Sequence, residues 1–261
     1  MTTKSYVLIA ISLLVTLVGC QGGTQTMDIE ALVNSGRAYL EAGNYAEAIT
    51  ALETAAEQAS DNSDAHFLLG QAYNQSGELA KAVDEFRTVL ELDPDNAAAH
   101  HNLGVTYYQL QDLEAALEQF EQALDIEPDD PDSHYQLGAT YLTLALSGSE
   151  PSPLANPELL EQATKEFERA LELRENMPEA LIGLGNVHLQ QGDYSAAIEV
   201  LQQAIESVPK SREAHYALAG AFAQSGDIDK ACETYEQFLS LDPPANWKNQ
   251  AEQAMASLGC E

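Results

Sequence analysis

Residues 69–90 read LGQAYNQSGELAKAVDEFRTVL, and residues 103–124 read LGVTYYQLQDLEAALEQFEQAL. The two stretches share a leucine–glycine start, a tyrosine, an alanine and a phenylalanine at matching offsets, 34 residues apart. Gly36, Gly70, Gly104 and Gly138 carry the column at that spacing, and Gly185 and Ala219 continue it after one gap of 47. A second column, Ala48, Ala82, Ala116, Ala163, Ala197 and Ala231, has the same gaps, so 13 extra residues lie between Gly138 and Ala163. They contain LSGSEPSPLANP, whose Ser, Pro and Gly content reads as a loop. Within each unit apolar residues recur at three- and four-residue steps, which predicts two amphipathic helices.

The chemistry of the columns explains their spacing. Glycine in the first helix and alanine in the second let two helices approach closely. Aromatics fill the gaps beside them: Tyr39, Tyr73, Tyr107 and Tyr141 in one column, Phe86, Phe120, Phe167 and Tyr235 in another. Pro94, Pro128, Pro209 and Pro243 close four units, and Asp, Asn or Ser follows to cap the next helix. One such pair cannot bury its apolar face alone, whereas stacked neighbours can. The stretch from Asn246 to Leu258 fits a closing helix, with Trp247 and Met255 turned inward.

These columns resemble the tetratricopeptide repeat, although the tryptophan of that family's first helix is absent. The resemblance implies an all-α fold, a right-handed superhelix of six helix-turn-helix repeats with a C-terminal capping helix. The repeats are expected at residues 29–62, 63–96, 97–130, 131–177 (with the 13-residue insertion), 178–211 and 212–245, and the cap at 246–261.

The chain begins MTTKSYVLIAISLLVTLVGC. One cation, Lys4, precedes an apolar run from Tyr6 to Val18, shorter than the ~18 residues needed to cross a bilayer. This order of charge, apolar run and small residues is that of a secretory signal. Leu17-Val18-Gly19-Cys20 resembles the lipobox of bacterial lipoproteins. That resemblance implies a signal peptide over residues 1–19, lipidation of Cys20, and a short tether over 20–28 reaching at most about 28 Å. The alternative is an ordinary signal peptide with an incidental cysteine. The expected place is the cell membrane or outer membrane, lipid-anchored on an extracytoplasmic face. Gln21 rather than Asp favours the outer membrane where one exists.

With 11 Lys and Arg against 42 Asp and Glu, the net charge is −31. Nucleic-acid binding depends on cations that neutralise phosphates, so nucleic acid is excluded as a partner. Anionic headgroups are repelled as well, which leaves the lipid as the membrane contact. In an exported protein the remaining pair, Cys232 and Cys260, suggests a disulfide. It would staple the cap to the last repeat and close a loop of about 29 residues, worth ~3 kcal/mol. The alternative is two buried thiols.

Catalytic chemistry finds little support. His66, His100, His134 and His215 share one column, about one repeat apart, so they read as packing residues and not as metal ligands. The run Asp125, Glu127, Asp129, Asp130 and Asp132 lacks the glycine and terminal glutamate of a calcium loop. No phosphate loop or nucleophile elbow occurs. The sequence therefore predicts no enzyme, no metal and no cofactor.

Binding remains. The family's concave face, lined by first helices, takes extended peptides or partner helices. The columns facing it contain Arg37, Phe67, Gln71, His101, Asn102, Tyr108, Tyr135, Asn186 and Tyr216. The family's carboxylate clamp needs lysine, and none occupies its columns: Val33, Arg37, Leu68, Ala98 and Asn102, or Phe67, Gln71, Asn102, Asp132 and Gln136. An apolar or mixed peptide held by stacking and side-chain hydrogen bonds fits better, and the surrounding acid favours a basic client. The expected function is a lipid-anchored envelope scaffold for a protein or peptide client. The alternative, by resemblance, is a pilotin-like assembly factor for a pilus or secretion-system secretin.

Overall fold

The computed structural model describes residues 28–147 and 156–260. Cys20, the signal-like segment, most of the tether and the interior of the 146–157 stretch lie outside those residues. Thirteen helices account for nearly all the rest, in six antiparallel pairs and one final helix. The pairs are α1 (Ile29–Glu41) with α2 (Tyr45–Gln58), α3 (Ser63–Ser76) with α4 (Leu79–Leu92), and α5 (Ala97–Gln109) with α6 (Leu113–Ile126). Then come α7 (Pro131–Leu146) with α8 (Pro157–Leu173), α9 (Pro178–Gln191) with α10 (Tyr194–Ser207), and α11 (Arg212–Ser225) with α12 (Ile228–Ser240). The last, α13 (Ala245–Leu258), packs on α12.

Local chemistry sets the helix ends. The side chains of Asn62, Asn96 and Ser211 accept the backbone N–H of Ala65, Ala99 and Ala214, which satisfies an otherwise orphaned donor at each start. Pro131, Pro157 and Pro178 sit in first turns, where a missing N–H costs nothing. Gly77, Gly192 and Gly226 end first helices with positive φ. In the same column Gln111 takes positive φ without being glycine, whereas Ala145 stays helical and α7 runs on to Leu146. The stretch read as a loop therefore gives its two end residues, Leu146 and Pro157, to helices.

The glycine column is enforced by contact. A Cβ added at Gly70 would lie 2.8 Å from the Phe86 ring, and one at Gly104 would lie 2.7 Å from that of Phe120. Those rings, with Phe167 and Phe238, are the largest fully buried side chains. Each pair also packs on the next through its second helix (α2 on α3, α4 on α5, and onward). First helices additionally touch the next first helix (α1–α3, α3–α5, α5–α7, α7–α9, α9–α11), and second helices make no comparable contact. That asymmetry puts first helices on the tighter, inner side of the superhelix.

At the C-terminal end Trp247 packs on Phe238 with ring centroids 6.2 Å apart, and Tyr216 packs on Trp247 at 5.6 Å. Cys232 and Cys260 form a disulfide with a Cα–Cα distance of 5.6 Å. It ties the end of the cap to the start of α12.

Candidate functional site

The inner face is built from one stripe of each first helix. Phe67, His101, Tyr135 and Tyr216 occupy equivalent positions, and all four are half-buried. Each leans on a ring of the core. Phe67 meets Phe86 at 5.9 Å, His101 meets Phe120 at 5.8 Å, Tyr135 meets Phe167 at 6.1 Å and Tyr216 meets Tyr235 at 5.9 Å. These edge and tilted contacts are favourable aromatic geometry. The aromatic row thus both holds the pairs together and lines the groove, and truncating it costs stability as well as binding surface.

The polar candidates divide by commitment. Tyr108 hydrogen-bonds through its hydroxyl to Thr143 Oγ1 at 3.0 Å, joining α5 to α7. Asn102 donates to the Ala98 carbonyl of its own helix at 2.8 Å. Arg37 is exposed, and Gln71 and Asn186 are half-buried. Among the described residues no hydrogen bond or ion pair occupies these three side chains.

His101 has the most specific surroundings. Its Nδ1 lies 2.7 Å from Ser133 Oγ and 3.8 Å from Asp130 Oδ2. Burial pushes the imidazole below its usual value, although the charges of Asp130 and Asp132 pull the other way. Burial also opposes the Asp130 carboxylate, but the Ser133 hydroxyl and N–H and the His101 charge outweigh it and hold the group below the usual carboxylate range. Ser133 Oγ and His101 Nδ1 share one hydrogen bond, whose donor is set by the tautomer of the ring. This is not a nucleophile relay. In such a relay the serine and the carboxylate bond opposite nitrogens of the ring, whereas here both face Nδ1 and Ser133 is buried.

Two further networks escaped the sequence. The histidine column makes a bracket in three pairs: Nδ1 meets a side chain of the second helix and Nε2 meets a turn carbonyl. His66 joins Glu85 at 2.6 Å and the Ser60 carbonyl at 3.3 Å, and His134 joins Glu166 at 2.6 Å and the Pro128 carbonyl at 3.0 Å. His100 does the same with Gln119 and Pro94. His215 instead bonds the Ser211 carbonyl. The second network joins successive pairs. The hydroxyls of Tyr73 and Tyr141 donate to Glu53 and Glu121, and Tyr107 accepts from Arg87. The signal was present as a pairing of each tyrosine with the residue 20 positions earlier. Among the described residues no group of three His, Cys, Asp or Glu is placed to hold a metal ion. No described helix is long and apolar enough to cross a membrane.

Comparison with known families gives matches throughout the stack. A family model described as tetratricopeptide repeat matches residues 33–97, 158–212 and 182–246. Two more of the same kind match 106–144 and 85–118. Among solved structures, PilF of Pseudomonas aeruginosa is 22% identical, with a TM-score of 0.69 over 86% of this chain and 97% of that one. A tetratricopeptide repeat protein from Parabacteroides merdae is 18% identical, with a TM-score of 0.70 over 87% of each chain. YrrB, described as a TPR protein with an unusual peptide-binding site, is 23% identical, with a TM-score of 0.59 over 77% of this chain and 97% of its own. No curated protein matches the sequence. At these identities the likeness is one of fold.

Proposed function

The chain belongs to the tetratricopeptide-repeat family, and on that premise we propose that it is a lipid-anchored scaffold of the cell envelope. It holds a peptide or partner protein along the inner face of its first helices. The observation that carries this reading is the row of uncommitted groups on that face: Arg37, Gln71 and Asn186 beside the half-buried rings of Phe67, Tyr135 and Tyr216. Convergent polar groups set against aromatic surface suit peptide recognition. The anchor rests on the lipobox-like Leu17-Val18-Gly19-Cys20, and two or more acyl chains hold a protein stably where one does not.

The test has two arms. Metabolic labelling with palmitate compares wild type with Cys20→Ala; label on the wild type alone supports the anchor, and label on neither ends it. In-cell crosslinking then compares wild type with Gln71→Ala/Asn186→Ala, a pair chosen because neither side chain is committed within the fold. A client lost from the double variant places binding in the groove, and equal capture moves it elsewhere.

The second reading is a pilotin-like assembly factor for a pilus or secretion-system secretin. It draws on the six-repeat lipoprotein plan and, at the level of fold alone, on the likeness to PilF. Loss of secretin multimers on deletion of the gene supports it, and unchanged multimers reject it.

A further inference from the structure

A cavity of about 240 Å³ opens between the third helix pair and the start of α7. Its walls are alanines of α5 and α6, and its polar lining is His101, Asn102, Glu127, Asp130, Asp132 and Ser133. Its volume falls below the ~300–1,000 Å³ of pockets for drug-sized ligands, so it suits a single side chain.

We propose that this cavity receives the guanidinium or ammonium group of an arginine or lysine on a basic client peptide. The inference deepens the groove-binding reading and rests on it.

Three observations support that occupant. First, the lining is short of donors. Asn102 spends a donor on the Ala98 carbonyl, and Ser133 Oγ and His101 Nδ1 are paired with each other, whereas the carboxylates of Glu127, Asp130 and Asp132 present acceptors alone. A ligand that carries only donors complements such a wall. Second, the charge is negative. Three carboxylates are offset by the guanidinium of Arg174 and by about half a positive charge at the α7 N-terminus. Glu127 makes no ion pair among the described residues. Third, the chain shows the chemistry at the rim: Arg174 binds Asp132 in bidentate fashion, its two terminal nitrogens 2.7 and 2.9 Å from the carboxylate oxygens. Planar guanidinium matches carboxylate in this way and ammonium does so less well, so arginine is favoured over lysine. A carboxylate ligand is disfavoured throughout.

The probe is N-acetyl-arginine amide, titrated into the isotope-labelled full chain at low salt and followed by amide resonances. N-acetyl-citrulline amide, its uncharged isostere, is the control. The expected result is saturable shifts at Ala98, Asn102, Glu127 and Ser133 with arginine and none with citrulline. Glu127→Gln, on an exposed side chain, weakens arginine binding by roughly 3- to 5-fold, the range of a solvent-exposed ion pair. Equal response to arginine and citrulline, unsaturable shifts spread over the acidic surface, or an unchanged Glu127→Gln each overturn the proposal. Any of these results alongside groove-dependent client capture removes the cavity and keeps the scaffold, whereas a wild type that captures no client removes the scaffold.

Discussion

Replacing Gly104 by alanine should destabilise the stack, although alanine is the better helix former. In a helix interior the exchange of glycine for alanine is worth about 1 kcal/mol in favour of the variant. Against that, the new Cβ would lie 2.7, 2.8 and 3.0 Å from three ring atoms of Phe120, where carbon–carbon contacts are favourable near ~3.5–4.0 Å. Phe120 is fully buried and has His101 against its edge, so the ring has no free direction in which to retreat. Overpacking of this kind costs about 1–3 kcal/mol, which leaves a net loss of about 1 kcal/mol. Gly220 supplies the control. It lies inside α11, and a Cβ there meets nothing within 4 Å, so Gly220→Ala should gain about 0.5–1 kcal/mol. The two variants differ by about 2 kcal/mol with opposite signs, or roughly 4–8 °C for a chain of this size. Because a repeat array need not unfold as one unit, denaturant curves should be paired with amide exchange on α5 and α11. If Gly104→Ala matches or exceeds wild type, close approach does not account for the glycine column and the packing argument fails.

Other outcomes follow from single contacts. Tyr135→Ala should lose about 2–3 kcal/mol, below the ~3–5 of a fully buried ring, because the side chain tilts onto Phe167; a groove variant built on it must be checked for folding by circular dichroism before binding is read. Reduction of Cys232–Cys260 releases a constraint over a sequence separation of 28 and should cost about 3 kcal/mol in the chain-entropy model; equal denaturant midpoints with and without reductant would show that the cap holds unaided. Asp130→Ala removes the cap of α7 and should cost about 1 kcal/mol at neutral pH. The folded carboxyl titrates below the ordinary 3.8 of an aspartate, so this contribution is present above that pH and is lost as pH falls through the folded value; a variant difference that does not shrink on acidification would contradict the assignment. Tyr141, half-buried and facing Glu121, is pushed up to about 12 from 10.0. Unfolded chains therefore ionise it first, stability should decline as pH rises from 10 towards 12, and Tyr141→Phe should flatten that decline in alkaline denaturation curves.

How much of this was legible differs from residue to residue. The glycine and alanine columns announced six helix pairs because close packing leaves a strictly periodic record of small residues. The thirteen extra residues between Gly138 and Ala163 were countable for the same reason. That α7 would lengthen was not visible, because Gln111 and Ala145 both replace the glycine of that column and only Gln111 takes positive φ. The nine groove candidates lie on first helices, and the sequence did not show which core ring each of Phe67, Tyr135 and Tyr216 rests on. The histidine column read as packing, and its carboxylate and carbonyl partners lie in another helix and in a turn.

Periodicity is a one-dimensional property, so the sequence by itself determined the helix pairs, their number and the side of each helix that is buried. It also set the strong acidity of the chain. Tertiary structure alone decided what depends on distances between separate helices. It brings His101 of α5 to Ser133 and Asp130 at the start of α7, and it crosses Arg174 onto Asp132, 42 residues away. It also leaves a net-negative cavity between two repeats. Asp132 and Arg174 share one repeat, and His101 and Ser133 lie in neighbouring ones, yet none of these residues carries a local mark of its partner. The stacking geometry that joins them is fixed by the buried rings, which carry no record of the charges they bring together.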